Sequence, residues 1–321
     1  MLQLQQDGGV TVCTPHLPPG TSESDSIAAQ RRLLDELIAD YQIRDYVIWY
    51  YTPMALAFSD HLEPACVVFD VMDELSAFAN APAALKDAEA ALLARADVVF
   101  TGGRSLFEAK RHRHHNVHPF PSSVDVAHFA QARTPQPDPE DQAAIPHPRL
   151  GFFGVIDERM DLALLGGVAR ARPDWHLVML GPIVKIDPAT LPQAPNIHYL
   201  GSRKYDELPR YISGWDVALL PFARNDATRF ISPTKTPEYM AAGRPVVSTS
   251  IRDVVSPYGD QGLVRIADPV DDFVAACAAA MAEDASERSR AADAFLTQTS
   301  WDGTWTQMRQ LVDQARLRDH V

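Results

Sequence analysis

Short apolar runs alternate with stretches whose apolar positions recur every three to four residues, and this alternation holds over most of the chain. In the first half the runs are 10–14 (VTVCT), 46–50 (YVIWY), 66–70 (CVVFD), 97–101 (DVVFT) and 116–120 (NVHPF). Their length and β-branched content predict strands. Between them, residues 27–41 place Ile27, Leu33, Leu34, Leu37, Ile38 and Tyr41 near helical spacing. Residues 82–94, opened by Asn80 and a proline in the first turn, and residues 105–112 read as two more helices. The pattern then breaks. Residues 131–149 (QARTPQPDPEDQAAIPHPR) are dense in proline and charge without periodicity, and predict an extended linker. Beyond it, strands are expected at 149–153, 176–181, 196–201, 216–222, 245–249 and 263–267, with helices at 158–171, 204–213, 235–242 and 270–282. Near-continuous apolar strands separated by helices indicate parallel sheets covered on both faces. The expected fold class is therefore α/β, with two doubly wound Rossmann-like domains facing a cleft. Ligands of such sheets sit at the carboxyl ends of the strands.

The length of 321 residues suits two domains, and an apolar fraction of 46% is enough for a core in each. The charge, 29 basic minus 42 acidic residues, is −13. That balance excludes nucleic-acid binding through a general basic surface, since phosphate contacts need clustered Lys and Arg. It leaves room for one local cation cluster facing a small anion. Cys13, Cys66 and Cys277 lie far apart and form no CxxC, which reads as a reducing compartment. The opening MLQLQQDGGV has neither a basic nor an apolar signal region, and the longest apolar run, Phe273 to Ala282, is Ala-rich and shorter than a membrane span. A cytoplasmic protein is expected. The run KRHRHH (110–115) reads mainly as a solvated surface, with metal binding by His112, His114 and His115 and contact with an anionic membrane face as the weaker readings. Oligomeric state is left open.

The segment that carries most chemistry is 231–249, ISPTKTPEYMAAGRPVVST. Pro233 and Thr234 set a helix start, Lys235 places a point charge there, Glu238 lies within the first turns, and Gly243 ends the helix. Unpaired N–H groups at a helix start favour a phosphate, although an ordinary helix-to-strand connection has the same outline. In VVFDVMDELSAF, Asp70 and Asp73 fall at the end of a buried strand and the turn after it. They suit orienting a hydroxyl, acting as a base, or capping the next segment, and Asp73 is the acid expected at the cleft. Trp49 reads as core, while Tyr50 and Tyr51 suit a sugar platform or core. Gly102 and Gly103, between a strand and a helix, suit a close approach.

The 231–249 segment resembles the donor-binding stretch of GT-B glycosyltransferases related to glycosyltransferase family 4, the glycosyl transferases group 1. Supporting stretches are LGFFGVIDERMD (150–161), DVALLPF (216–222), FPSSVDVAHF (120–129) and WDGTWTQMRQLV (301–312). The resemblance implies a GT-B architecture: an acceptor-side domain at 1–130 lacking its opening strand–helix unit, a linker at 131–148, a nucleotide-sugar domain at 149–299 and a tail helix at 300–321 crossing back. It implies transfer of a sugar from a nucleotide sugar to a glycan or lipid-linked acceptor, with retention and with neither metal nor cofactor. Donor contacts would come from Gly154, Arg159, Ser232, Thr234, Lys235 and Glu238, with Glu238 on the ribose and Arg159 and Lys235 on the diphosphate. Asp73, Arg159 and Lys235 are the catalytic candidates. Two departures stand out. Phe230 occupies the position of a first glutamate eight residues before Glu238, and Val155 follows Gly154 where an arginine is common. A nucleotide-sugar epimerase and a non-catalytic nucleotide-binding or assembly protein are the alternatives.

Overall fold

The structure, a computed structural model, describes residues 1–78 and 81–318. The expected Asn80 helix start and tail residues 319–321 fall outside them. Among the described residues the strands form three sheets. Strands β1 (Leu2–Asp7) and β2 (Val10–Pro15) pair only with each other, antiparallel, around Gly8 and Gly9, both at positive φ. A two-glycine loop is what such a tight hairpin needs. The expected 10–14 strand therefore exists, but in this hairpin and not in the first parallel sheet. Residues 2–7 also form a strand, which their polar LQLQQD sequence did not announce.

Strands β3 (Val47–Tyr50), β4 (Cys66–Val71), β5 (Val98–Thr101) and β6 (Val117–Pro119) lie in chain order in a parallel sheet. Its central strands are buried on both sides, and alternate residues feed two separate cores. Val67, Phe69, Val71 and Val99 join Leu92, Leu93 and Leu106 on one face. Cys66, Val68, Val98 and Phe100 meet Val312 and Ala315 of the last helix, Trp301–Arg318, on the other. The chain thus returns at its end to cover the sheet it began.

The second sheet contains β7 (Arg149–Phe153), β8 (His176–Leu180), β9 (Ile197–Gly201), β10 (Val217–Leu220), β11 (Val246–Ser248) and β12 (Arg265–Ile266). All pairs are parallel and the order is β12-β11-β10-β7-β8-β9. Counted within the domain this is the 3-2-1-4-5-6 order of a Rossmann sheet, and the winding reverses between β7 and β10. One continuous core fills it. Gly151 lets β7 lie against Trp215, whose ring a Cβ there would overlap.

The proline-rich stretch is not extended. Gln131–Arg133 and Glu140–Ala143 are short helical turns, and Ala132 and Ile145 are buried in the second core together with Val124 and Phe129. Gln142 is fully buried, donating to Asp138 and the Tyr211 carbonyl and accepting from the Trp215 indole at 3.0 Å. The partners that fold this segment lie some 70 residues downstream, so local periodicity could not reveal them. No helix among the described residues is long and apolar enough to cross a membrane.

Candidate functional site

The winding reversal between β7 and β10 opens a crevice at the carboxyl ends of these strands. Gly154, directly after β7, has φ +137°, and Gly181, directly after β8, has φ +142°. A Cβ on Gly154 would overlap the Lys235 side chain, and one on Gly181 would overlap the Gly154 carbonyl. Two glycines at otherwise strained φ therefore let the Lys235 stem settle over the end of β7. Its Nζ stands 5.8 and 6.0 Å from the Phe152 and Phe153 ring centres.

Lys235 opens the helix Lys235–Ala241, and Glu238 follows one turn later on the same side. This helix is held firmly. The buried Tyr239 hydroxyl accepts from the Phe153 N–H at 3.0 Å, and Arg133 Nε donates to the Ala241 carbonyl at 2.7 Å. Gly243 at φ +71° ends it in the left-handed conformation, as the sequence implied. Thr234 occupies the N-cap position but is exposed and makes no side-chain capping bond. Ser232 points elsewhere: its Cβ lies against Gly103 of the first domain, beside Asp253.

Burial raises the Glu238 carboxyl to about 7, opposed by the nearby Lys235 charge. Its Oε2 is buried with no hydrogen-bond partner. Burial pushes the Lys235 ammonium down, and Arg159 pushes the same way, while Glu238 and Asp157 oppose the shift. Two cations thus share a half-buried corner with a carboxyl whose buried oxygen has no bond, an arrangement that favours an anion with hydroxyl donors beside it.

Arg159 lies in the loop 154–161. The helix expected from 158 starts at Leu162, where Asp161 caps the Leu164 N–H at 2.8 Å. Buried Asp157 accepts from Arg159 Nε at 3.0 Å, from Nη2 at 2.7 Å and from the Arg159 backbone N–H at 3.0 Å. These bonds fix the guanidinium, and the Ala223 N–H ties the Arg159 carbonyl to the end of β10 at 2.8 Å. Asp157 was not singled out from sequence. Its signal was present in the spacing of two from an arginine in a post-strand loop. From the facing domain, Asp73 follows β4 and interacts electrostatically with Arg159, and burial raises its carboxyl. Gly154, Arg159, Lys235, Glu238 and Asp73 thus converge on one cleft, whereas Ser232 and Thr234 flank it.

Asp70 is a structural partner: buried in β4, it accepts from the Trp49 indole at 3.1 Å. Trp49 packs among Phe100 and Trp305, consistent with core. Tyr50 is buried with its hydroxyl at 2.7 Å from Ser59, so only Tyr51, 62% exposed, is left as an open ring. The 110–115 run is not simply a solvated face. Lys110 is 2% exposed and bonded to Glu74 at 2.6 Å and Glu89 at 2.5 Å, and Arg113 reaches Glu89 at 2.6 Å. Sequence alone missed this because both glutamates come from other elements. His114 faces the Ala96 carbonyl at 2.8 Å, and no group of three or more His, Cys, Asp or Glu able to hold a metal occurs among the described residues.

The two domains touch around Gly103. Asp253 accepts from the Ser105 N–H at 2.9 and 3.3 Å, capping a first-domain helix (Arg104–Lys110) from the second domain. A Cβ on Gly103 would overlap the Asp253 carboxylate and approach Ser232 Cβ at 2.7 Å. Gly103 is therefore accounted for by a contact between domains, and Gly102 by the Met72 backbone of its own domain, whose carbonyl a Cβ there would meet at 2.9 Å.

Residues 147–283 match the family described as glycosyl transferases group 1. A Bacillus subtilis (strain 168) protein assigned as the teichuronic acid biosynthesis glycosyltransferase TuaH is 28% identical over 144 residues. That match spans 43% of this chain and 36% of the relative's length. Among solved structures, sucrose-phosphate synthase from Thermosynechococcus elongatus superposes with a TM-score of 0.70 at 14% identity, covering 98% of this chain and 85% of that one. HepE from Anabaena, solved with UDP-glucose, gives 0.67 at 15% identity, covering 88% and 81%.

Proposed function

With residues 147–283 forming a glycosyl transferases group 1 domain within a GT-B fold, we propose that the protein transfers a sugar from a nucleotide sugar to a glycan or lipid-linked acceptor. The observation that carries this reading is Lys235 held over Gly154 at the winding reversal, one helical turn from Glu238, whose buried carboxylate oxygen lacks a partner. Ribose hydroxyls donating to Glu238 would supply that partner. Lys235 and Arg159 face the diphosphate. As the bond from the anomeric carbon to the diphosphate breaks, negative charge gathers on the phosphate oxygens, and two fixed cations stabilise it without reorganising. The acceptor oxygen forms the new bond and loses its proton. Asp73, whose carboxyl is raised, stands on the acceptor side within electrostatic reach of Arg159 and suits holding that hydroxyl or taking the proton. We take the reaction to retain anomeric configuration and to proceed without metal or cofactor, so EDTA leaves the rate unchanged. The name of the relative TuaH supports an envelope polymer as the acceptor class, and the UDP-glucose complex of HepE supports a nucleoside-diphosphate sugar as donor.

The test is a calorimetric and thermal-shift screen with UDP, GDP, dTDP and their sugars on the protein and on Glu238→Ala. At least one nucleotide should bind, and the variant should bind it about 10–100-fold more weakly, for a loss of about 1.5–3 kcal/mol. Equal affinity of a folded Glu238→Ala protein defeats the assignment. Isomerisation of the donor sugar without acceptor would replace transfer by epimerisation.

A further inference from the structure

The cleft between the domains holds more than the donor corner. Two cavities of about 620 and 520 Å³ flank the loop 226–230, and both are lined by Asp226, Arg229 and Phe230. Each lies within the range of about 300–1000 Å³ usual for small-ligand sites. The first is bounded by Ser105 and Glu108 of one domain and Arg252 of the other, the second by Lys86 and the Glu74–Lys110 cluster. Phe230 packs on the first-domain core, so the loop separating the cavities is anchored across the cleft.

The charges lining these cavities run against the rest of the molecule. The acids on the first-domain wall are engaged: Glu74 and Glu89 by Lys110, Glu89 also by Arg113, and Glu108 by Arg111 at 3.3 Å. Arg224 reaches Asp268 at 3.3 Å. Lys86, Arg229 and Arg252 are exposed and make neither a side-chain hydrogen bond nor an ion pair within 4 Å among the described residues; Arg229 only stacks on Phe230, 5.1 Å from its ring centre. Beside Arg252, the Asp253 carboxylate is turned to the Ser105 N–H. Among the described residues, Asp226 is the one acid lining both cavities without a side-chain partner. Lys86 and Arg229 thus stand without an ion pair, and Arg252 meets only the field of the Asp253 carboxylate, which is turned away to Ser105, in a chain of net charge −13. Arg229 and Arg252 both line the first cavity, an open groove between the domains, where neighbouring cations reinforce one another and concentrate negative ligands.

We propose that this groove takes an acidic oligosaccharide, one bearing carboxylate, sulfate or phosphate groups, as the acceptor, with Arg229 and Arg252 as its charge-reading residues. The inference rests on the glycosyltransferase reading and adds the acceptor's chemical class. It is tested by calorimetry at 50 and 300 mM salt with four probes: an oligogalacturonate, a heparin-derived sulfated pentasaccharide, a neutral malto-oligosaccharide, and a single-stranded DNA of equal charge. UDP binding is measured in parallel. One or both acidic saccharides should bind, more weakly at high salt, with the neutral sugar and the DNA at least tenfold weaker. Which acidic probe binds separates carboxylate from sulfate recognition. The double variant Arg229→Gln, Arg252→Gln should lose at least about tenfold in acidic-saccharide affinity and keep its UDP affinity, which also shows that it is folded. Equal binding of the neutral sugar, equal binding of the DNA, an unaffected double variant, or no acidic binding by a protein that binds UDP each overturns the proposal and leaves the donor assignment standing. Failure of every nucleotide to bind overturns the enzyme reading and the acceptor role with it.

Discussion

The two domains share one architecture and spend their residues differently. The second has six parallel strands over a single continuous core, and its ligand corner is made of groups already fixed: Arg159 by Asp157, and the helix Lys235–Ala241 by Tyr239 and Arg133. The first has four strands between two smaller cores, and both borrow from elsewhere, one from Phe230 and the other from Val312 and Ala315. The difference teaches where rigidity is needed. A diphosphate leaving group demands cations already in place, because reorganising them during the reaction would forfeit their benefit. On the transfer reading proposed above, the acceptor side is the thinner frame, completed by its neighbour.

The sharpest test of this contrast is Lys235→Ala. Turnover should fall about 100–1000-fold while the melting temperature does not fall, because burial disfavours the charged ammonium. A large stability loss with little kinetic effect would make Lys235 a structural residue. Next in size is Glu238→Gln, which should weaken nucleotide binding and stabilise the empty protein. The folded carboxyl is raised from its ordinary 4.5 to about 7, so the folded state holds its proton more tightly than the unfolded state. Stability is therefore lost as pH rises from about 4.5 through 7. Melting curves should place the Gln variant above wild type at pH 8, by about 2–4 °C for each kcal/mol recovered, with the gap closing toward pH 4.5. By the same linkage, nucleotide affinity should rise between pH 6 and 8, since ribose donors select the ionised form. A flat affinity profile would separate Glu238 from the ribose.

Gly103→Ala probes the seam between the domains. Its Cβ has no room beside Asp253 and Ser232, and a loss of about 1–3 kcal/mol is expected, readable by denaturant titration. The smallest effect should come from the hairpin: Val12→Thr, on its exposed surface, should stay within about 0.5 kcal/mol. A larger loss would show that the hairpin supports the fold.

Legibility in the sequence follows the same division. The second-domain strands were readable because each is an apolar run between turn residues, and Gly154, Lys235 and Glu238 were marked by the resemblance of their segments, whereas the packing of Lys235 over Gly154 was not visible. Arg159 was readable as a cation, but its pairing with Asp157 was not. The hairpin escaped because half of Leu2–Asp7 is glutamine and the strand has no buried face to advertise. The burial of Lys110 escaped because its counter-charges come from Glu74 and Glu89, and the docking of 131–148 because Tyr211 and Trp215 lie far along the chain. What failed to show was long-range pairing of polar groups, which leaves no periodic trace.

The return of the last helix to the first sheet has a mechanical meaning. The backbone passes between the lobes twice, before Val124 and again ahead of Trp301. A body held at one point swivels in any direction, but two moorings define an axle. Two such moorings fix the line along which the lobes meet and hold Asp253 in register with the Ser105 N–H across it.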